Sequence, residues 1–203
     1  MTGKAHTALG VGTALGACEL MGCVGGSDLS KVGLCVVVAA TAATLPDIDV
    51  GAAKKVYRYS IMGLLAALVA AVLFAVLKHG SVGEIPLTLV GLVIVCGLSI
   101  FGKNQPHRGF THSFTALAAY AVGVVLCTGG MAMKYRRVVV IAFVIAYLSH
   151  ILIDLLNKKG EQLFYPMPKR YCFKVCTASG VGNEATCLAG AFLTVVLLGN
   201  LFI

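Results

Sequence analysis

Residues 59–77 form an apolar run that carries no charged side chain. A stretch of that length and composition fits a helix across a bilayer, where the backbone satisfies its own hydrogen bonds. Further apolar runs lie at about 5–24, 32–45, 85–102, 113–131, 138–156 and 185–203. A full span needs about 20 residues, so the runs at 32–45 and 85–102 are short enough to tilt or to be covered by protein. The run at 5–24 is rich in Gly and Ala, a composition better suited to close helix packing than to spanning. The expected fold class is all-α: one domain over 1–203, an integral membrane bundle of about seven apolar helices, some short or partly spanning. The chain is 59% hydrophobic and only 12% charged, against about 25% charged in soluble domains.

The net charge of +8 would point a soluble protein towards nucleic acid. Here the basic residues sit in short segments between apolar runs, which is the pattern of topology anchors, and no nucleic-acid partner is expected. Most of the eight cysteines lie within or beside apolar runs, where Cys acts as a small hydrophobe. Cys172 and Cys176 share a polar loop at a spacing of four, unlike a Cys-x-x-Cys site, and are read as free thiols. No cleavable signal is expected, because Gly and Glu19 interrupt the first apolar run.

Three polar clusters interrupt the oil: 45–49 (Leu-Pro-Asp-Ile-Asp), 106–113 (Pro-His-Arg-Gly-Phe-Thr-His-Ser) and 150–154 (His-Ile-Leu-Ile-Asp). If every run crosses the membrane, alternation puts all three on one side. His6 and Glu184, at the starts of the first and last runs, fall on that side too. So do Lys4, Lys54, Lys55, Arg58, Lys103, Arg108, Lys158, Lys159, Lys169, Arg170 and Lys174, against Lys31, Lys78, Lys134, Arg136 and Arg137 opposite. The excess of basic residues predicts a site at the cytoplasmic face. Glu19, about 20 Å along the first helix from His6, is set aside, as is His79 on the other side. Glu161, in Lys-Lys-Gly-Glu, is read as a solvated loop charge.

Each cluster has a chemical and a plain reading. His150 and Asp154 are spaced i, i+4, so a helix puts them on one face as a platform for a cation; the plain reading is a His–Asp hydrogen bond. Pro46 should end its helix and favour extended chain, in which Asp47 and Asp49 point the same way and repel unless a cation lies between them. Alternatively Asp47 caps the next segment. His107 and His112 are five apart, so His107 is expected in a loop and His112 at the start of the next helix, with Gly109 allowing the turn and Thr111 or Ser113 capping. Arg108 suits bidentate recognition of phosphate or carboxylate. Arg108, Thr111 and Ser113 are the candidate substrate contacts. Glu184 is either a ligand or a charge favourable to a helix N-terminus.

With His6, these motifs in this order resemble the YdjM-type family of bacterial inner-membrane metal-dependent hydrolases. That resemblance implies a distant similarity to zinc-dependent phospholipase C and the S1/P1 nucleases. It also implies a metal-ligand pool of His6, Asp47, Asp49, His107, His112, His150, Asp154 and Glu184. Imidazole and carboxylate donors without convergent thiolates suit Zn²⁺, Mn²⁺ or Fe²⁺, and so many ligands suggest two or three ions. Such ions would activate water against a phosphoester, with an uncoordinated Asp, Asp49 being the candidate, as general base and Arg108 offsetting charge on the phosphoryl group. The expected substrate is a membrane lipid or lipid-linked phosphate. A divalent-cation transporter or channel is one rival, although its ligands should be spread through the membrane depth. A membrane metalloprotease is another, although His-Glu-x-x-His is absent.

Overall fold

The computed structural model describes residues 2–25, 28–50, 55–79, 83, 85–177 and 180–202, with the side chains of 55, 56, 74–79, 201 and 202 excepted. Lys54 and the side chains of Lys55, Lys78 and His79 therefore lie outside the described residues. Seven α-helices occur among them: α1 (Gly3–Leu20), α2 (Leu29–Thr44), α3 (Lys55–His79), α4 (Ile85–Lys103), α5 (Phe114–Cys127), α6 (Met133–Asp154) and α7 (Val181–Phe202). Each corresponds to one apolar run. Two short 3-10 turns, Leu45–Asp49 and Phe110–His112, follow α2 and precede α5.

Four segments are long and apolar enough to cross a membrane: Leu29–Asp49, Ile85–Lys103, Met133–Asp154 and Val181–Asn200. Phe114–Cys127 is shorter. The 25 residues of α3 reach about 37 Å, more than a hydrocarbon core of about 30 Å.

The packing is nested. Helix α6 forms the middle, with Val138, Ala142, Ala146, Tyr147 and His150 fully buried. Helices α1, α2 and α5 surround it. The sequence marked α1 as a packing helix, and its Ala5, Ala14, Leu15 and Cys18 are indeed fully buried. Helix α7 lies outside, packed on α1, with Leu188, Phe192 and Val195 exposed, as lipid-facing residues should be. Thr13, Thr41, Thr44 and Ser99 return their hydroxyls to carbonyls one turn back, so these four donors are not left bare in an apolar setting. Cys18 and Cys35 lie with sulfurs 3.8 Å apart in the core, and every cysteine, including Cys172 and Cys176, is a free thiol.

Two helix crossings depend on glycine. A Cβ on Gly91 of α4 would lie 2.4 Å from the Cys127 nitrogen and 2.6 Å from the Gly123 oxygen of α5. A Cβ on Gly190 of α7 would lie 2.4 Å from the Leu9 nitrogen of α1. Backbone faces backbone at both places, so neither side can yield. Gly91→Val should therefore cost about 1–3 kcal/mol of overpacking and lower the unfolding midpoint in detergent. Gly97→Val on the same helix, where nothing lies within 4 Å, should leave it unchanged.

Candidate metal centre

The chain leaves α2 in a 3-10 turn rather than extended. Pro46 sits at its start, where the missing N–H is no loss and the fixed φ suits the helix. With three residues per turn, positions two apart diverge by about 120°. Asp47 and Asp49 therefore face different partners. Asp47 accepts from Tyr57 of α3 at 3.0 Å and faces His112 and His150. Asp49 faces the 106–113 loop. It accepts the Arg108 N–H at 3.0 Å, the Thr111 hydroxyl at 2.8 Å and His107 Nδ1 at 2.7 Å.

That loop is shaped around Asp49. Arg108, not Gly109, takes the left-handed backbone, with φ of 64°, a conformation costly to a side chain and here fixed by the bond from its own N–H to Asp49. Gly109 is needed for a different reason: a Cβ there would lie 2.8 Å from the Pro106 oxygen. The Ser113 hydroxyl accepts from the Ala116 N–H and caps α5. Tyr147 of α6 donates to the Thr111 carbonyl at 2.6 Å.

Helix α6 brings His150 and Asp154 one turn apart, both buried. His150 Nδ1 lies 2.6 Å from the Ala43 carbonyl, which can only accept, so Nδ1 carries the proton and Nε2 a lone pair. Thr111 donates to Asp49, so its oxygen, 3.1 Å from His112 Nδ1, is an acceptor for that ring. When that ring is neutral, His112 Nε2 is thereby left as a second lone pair. The two Nε2 atoms face each other at 3.2 Å. Asp47 Oδ1 lies 3.7 Å from one and 3.8 Å from the other, and Asp154 Oδ2 lies 4.0 Å from His112 Nε2. Two lone pairs at that distance repel, so either a proton, which the neighbouring Asp47 and Asp49 carboxylates favour on His112, or a metal cation lies between them. Neighbouring donors around a tetrahedral zinc, at about 2.0–2.1 Å each, are roughly 3.3–3.4 Å apart.

Two further groups point the same way. His6 is fully buried and stacked on His150, ring centres 3.7 Å apart. Its Nε2 lies 3.2 Å from Asp154 Oδ1 but off a hydrogen-bond angle, and neither of its nitrogens has a hydrogen-bond partner. Glu161 is fully buried with both carboxylate oxygens likewise unpartnered. Donor atoms converge in three overlapping groups: Asp47, Asp49, His107 and His112; His6, His150 and Asp154; and His112, Asp154 and Glu161.

Arg108 is the strong base in the centre. It donates to Asp154 Oδ2 at 2.6 Å and to the Lys159 carbonyl. Burial pushes the Glu161 carboxyl up to about 8, Asp154 pushing the same way, while His112 and Arg108 pull it down. Burial disfavours charge on His112, but the Asp47 and Asp49 carboxylates raise it well above the ordinary imidazole value. This is a pocket that attracts positive charge.

Seven of the sequence-predicted ligands thus meet: His6, Asp47, Asp49, His107, His112, His150 and Asp154. Glu184 does not. It is exposed in the first turn of α7, a position favourable to the helix dipole. The hydroxyls of Thr111 and Ser113 are fully buried and used within the fold, so neither is presented to a substrate. Two Arg108 nitrogens are also engaged inside the protein. Glu161, read from sequence as a solvated charge, is inside because the loop folds back. Its backbone exchanges two hydrogen bonds with Tyr171, and the Gln162 N–H bonds the Arg108 carbonyl. Tyr57 on Asp47 and Asn157 on Asp154 also had no sequence signal beyond their neighbourhoods.

A family model described as YdjM inner membrane protein matches residues 1–202. No curated protein and no solved structure matches the chain.

Two outcomes are expected of purified protein titrated with zinc. Glu161→Gln should weaken binding about tenfold or more, roughly 1.4 kcal/mol, whereas Glu184→Gln should change it less than twofold. Competition with a chromophoric chelator reads both. Affinity should also rise with pH through about 8, because protons held on Glu161 and on His112 must leave before a cation can bind.

Proposed function

The chain belongs to the YdjM inner membrane protein family, and from that premise we propose that it is a membrane-embedded, metal-dependent hydrolase of a lipid or lipid-linked phosphoester. The observation that carries this reading is the facing pair of His112 and His150 Nε2 atoms, 3.2 Å apart beside Asp47, with the fully buried His6, 3.2 Å from Asp154, and the unpartnered Glu161 carboxyl close by. Purely nitrogen and oxygen donors suit zinc, with manganese and iron as the other candidates. Because the third donor group shares His112 with the first and Asp154 with the second, two or three ions would be close neighbours. Ions held there would supply Lewis acidity to a phosphoryl oxygen and make water easier to ionise.

The protein's own part in this reading is positioning and proton handling. Ala43 fixes the tautomer of His150, and Asp49 and Thr111 orient His112, as the outer partners of ligating histidines do. His107 is the accessible member, its side chain 43% exposed, and its Nδ1 meets Asp49. That is the geometry of an acid–base group held by a carboxylate, so Asp49 is assigned as the orienting partner and His107 as the group that exchanges a proton with substrate. Arg108 holds Asp154 and offsets the carboxylate charge. The excess of basic residues on the side of the centre supports placing it at the cytoplasmic face.

Hydrolysis of a panel of lipid phosphates by protein in nanodiscs tests the reading. Asp47→Asn and His150→Ala should each lower turnover at least ~100-fold, about 2.7 kcal/mol of barrier, and chelation should abolish it reversibly. Thr111→Val should cost about 10–100-fold. If Asp47→Asn and His150→Ala kept full hydrolysis and lost divalent-cation flux through proteoliposomes, the protein would be a transporter instead.

A further inference from the structure

Helices α3 and α4 do not close against each other. Between them runs a cleft of about 410 Å³, within the usual range of ligand sites of about 300–1,000 Å³. Met62, Ala66, Val69 and Leu73 form one wall, Cys96 and Ile100 the other, and Ile48 the inner end. Ala66 and Ala70 are exposed small residues on the outer edge, so the cleft opens sideways, towards lipid. From Met62 to Leu73 the helix rises roughly 16 Å, about half of a 30 Å hydrocarbon core. That is the depth of one leaflet.

The ends of the cleft differ in chemistry. Its deeper part is lined by aliphatic side chains and Cys96. At the end nearer the metal centre stands Lys103. Arg58 precedes Met62 by four residues, hence on the same stripe of α3, and its Nε is buried without a hydrogen-bond partner. Two cations therefore stand where the headgroup of a lipid in that leaflet would lie. The centre is adjacent. Ile48 separates Asp47 from Asp49 in the chain, and a Cβ on Gly102 of α4 would lie 2.5 Å from Thr111, the hydroxyl partner of Asp49, and 3.7 Å from Ile48.

We propose that the cleft between α3 and α4 receives one hydrocarbon chain of a membrane lipid with a phosphate headgroup, admitted sideways from the bilayer, with Arg58 and Lys103 on the headgroup. The proposal rests on the hydrolase reading for its purpose, but its test does not. The probe is phosphatidic acid carrying a diazirine halfway along one acyl chain, presented to the full chain in phosphatidylcholine nanodiscs. Cross-links should concentrate on 62–73 and 96–103 and be sparse on lipid-facing α7. Ala66→Phe and Ala70→Phe, each filling the cleft from its edge, should lower that labelling about fivefold or more with metal content unchanged. Arg58→Gln with Lys103→Gln should remove the preference for phosphatidic acid over a phosphatidylcholine probe of the same chain. Even labelling of all lipid-facing helices in the unaltered protein, or labelling indifferent to both Phe variants, would overturn the proposal. Labelling of the cleft without hydrolysis under any metal would uphold it and count against the hydrolase; hydrolysis with an unlabelled cleft would do the reverse.

Discussion

Four acidic side chains, Asp47, Asp49, Asp154 and Glu161, are buried within one end of a bundle whose core is otherwise mostly apolar. Isolated charges in such a medium cost several kcal/mol each even after relaxation, and Arg108 can meet only part of that. The rest of the architecture follows from the need to compensate them. Three imidazoles are buried against them, a loop takes a left-handed residue at Arg108 to aim its N–H at Asp49, and the polypeptide after α6 doubles back to seal the end. A cation among these groups would relieve the strain that the protein alone leaves, most visibly at Glu161 and His6.

Close helix packing makes this convergence possible. His150 can reach the Ala43 carbonyl only if α2 and α6 lie side by side, and Gly10 of α1 lets Ala43 approach to where a Cβ would stand 2.4 Å away. The small residues of the first apolar run thus serve the centre directly. They let α1 sit deep enough for His6 to stack on His150. The glycines at the α4–α5 crossing do the same for the 106–113 loop by fixing the separation of the helices it joins.

The helices were legible because hydrophobic runs and hydrogen-bond demand in lipid leave few alternatives. The convergence of His6, the Asp47–Asp49 pair, His107, His112, His150 and Asp154 was legible too, since alternation of crossings is a counting property. What local sequence could not show was direction and burial. Pro46 signals the end of a helix, but proline is also tolerated in the first turn of a tighter one, and the 3-10 outcome sends Asp47 and Asp49 to separate tasks. Glu161 looks solvated beside Lys158 and Lys159; only its pairing with Tyr171, ten residues on, turns it inward. Glu184 shares the side of the centre but not its depth, since α7 is the outermost helix. Side of membrane is a one-dimensional inference, and depth within the bundle is not.

His6 and Glu161 stand 155 positions apart in a chain of 203 residues, and the groups between them come from the 3-10 turn after α2, the 106–113 loop and α6. No fragment emerging during synthesis owns a complete set of donors. The centre can come into being only after α6 has entered the bilayer and the segment behind it has folded back. Metal capture by this centre would therefore be a closing event of biogenesis, and an ion once seated would clasp α1, α6 and the turn after α2 together and mark the chain as finished.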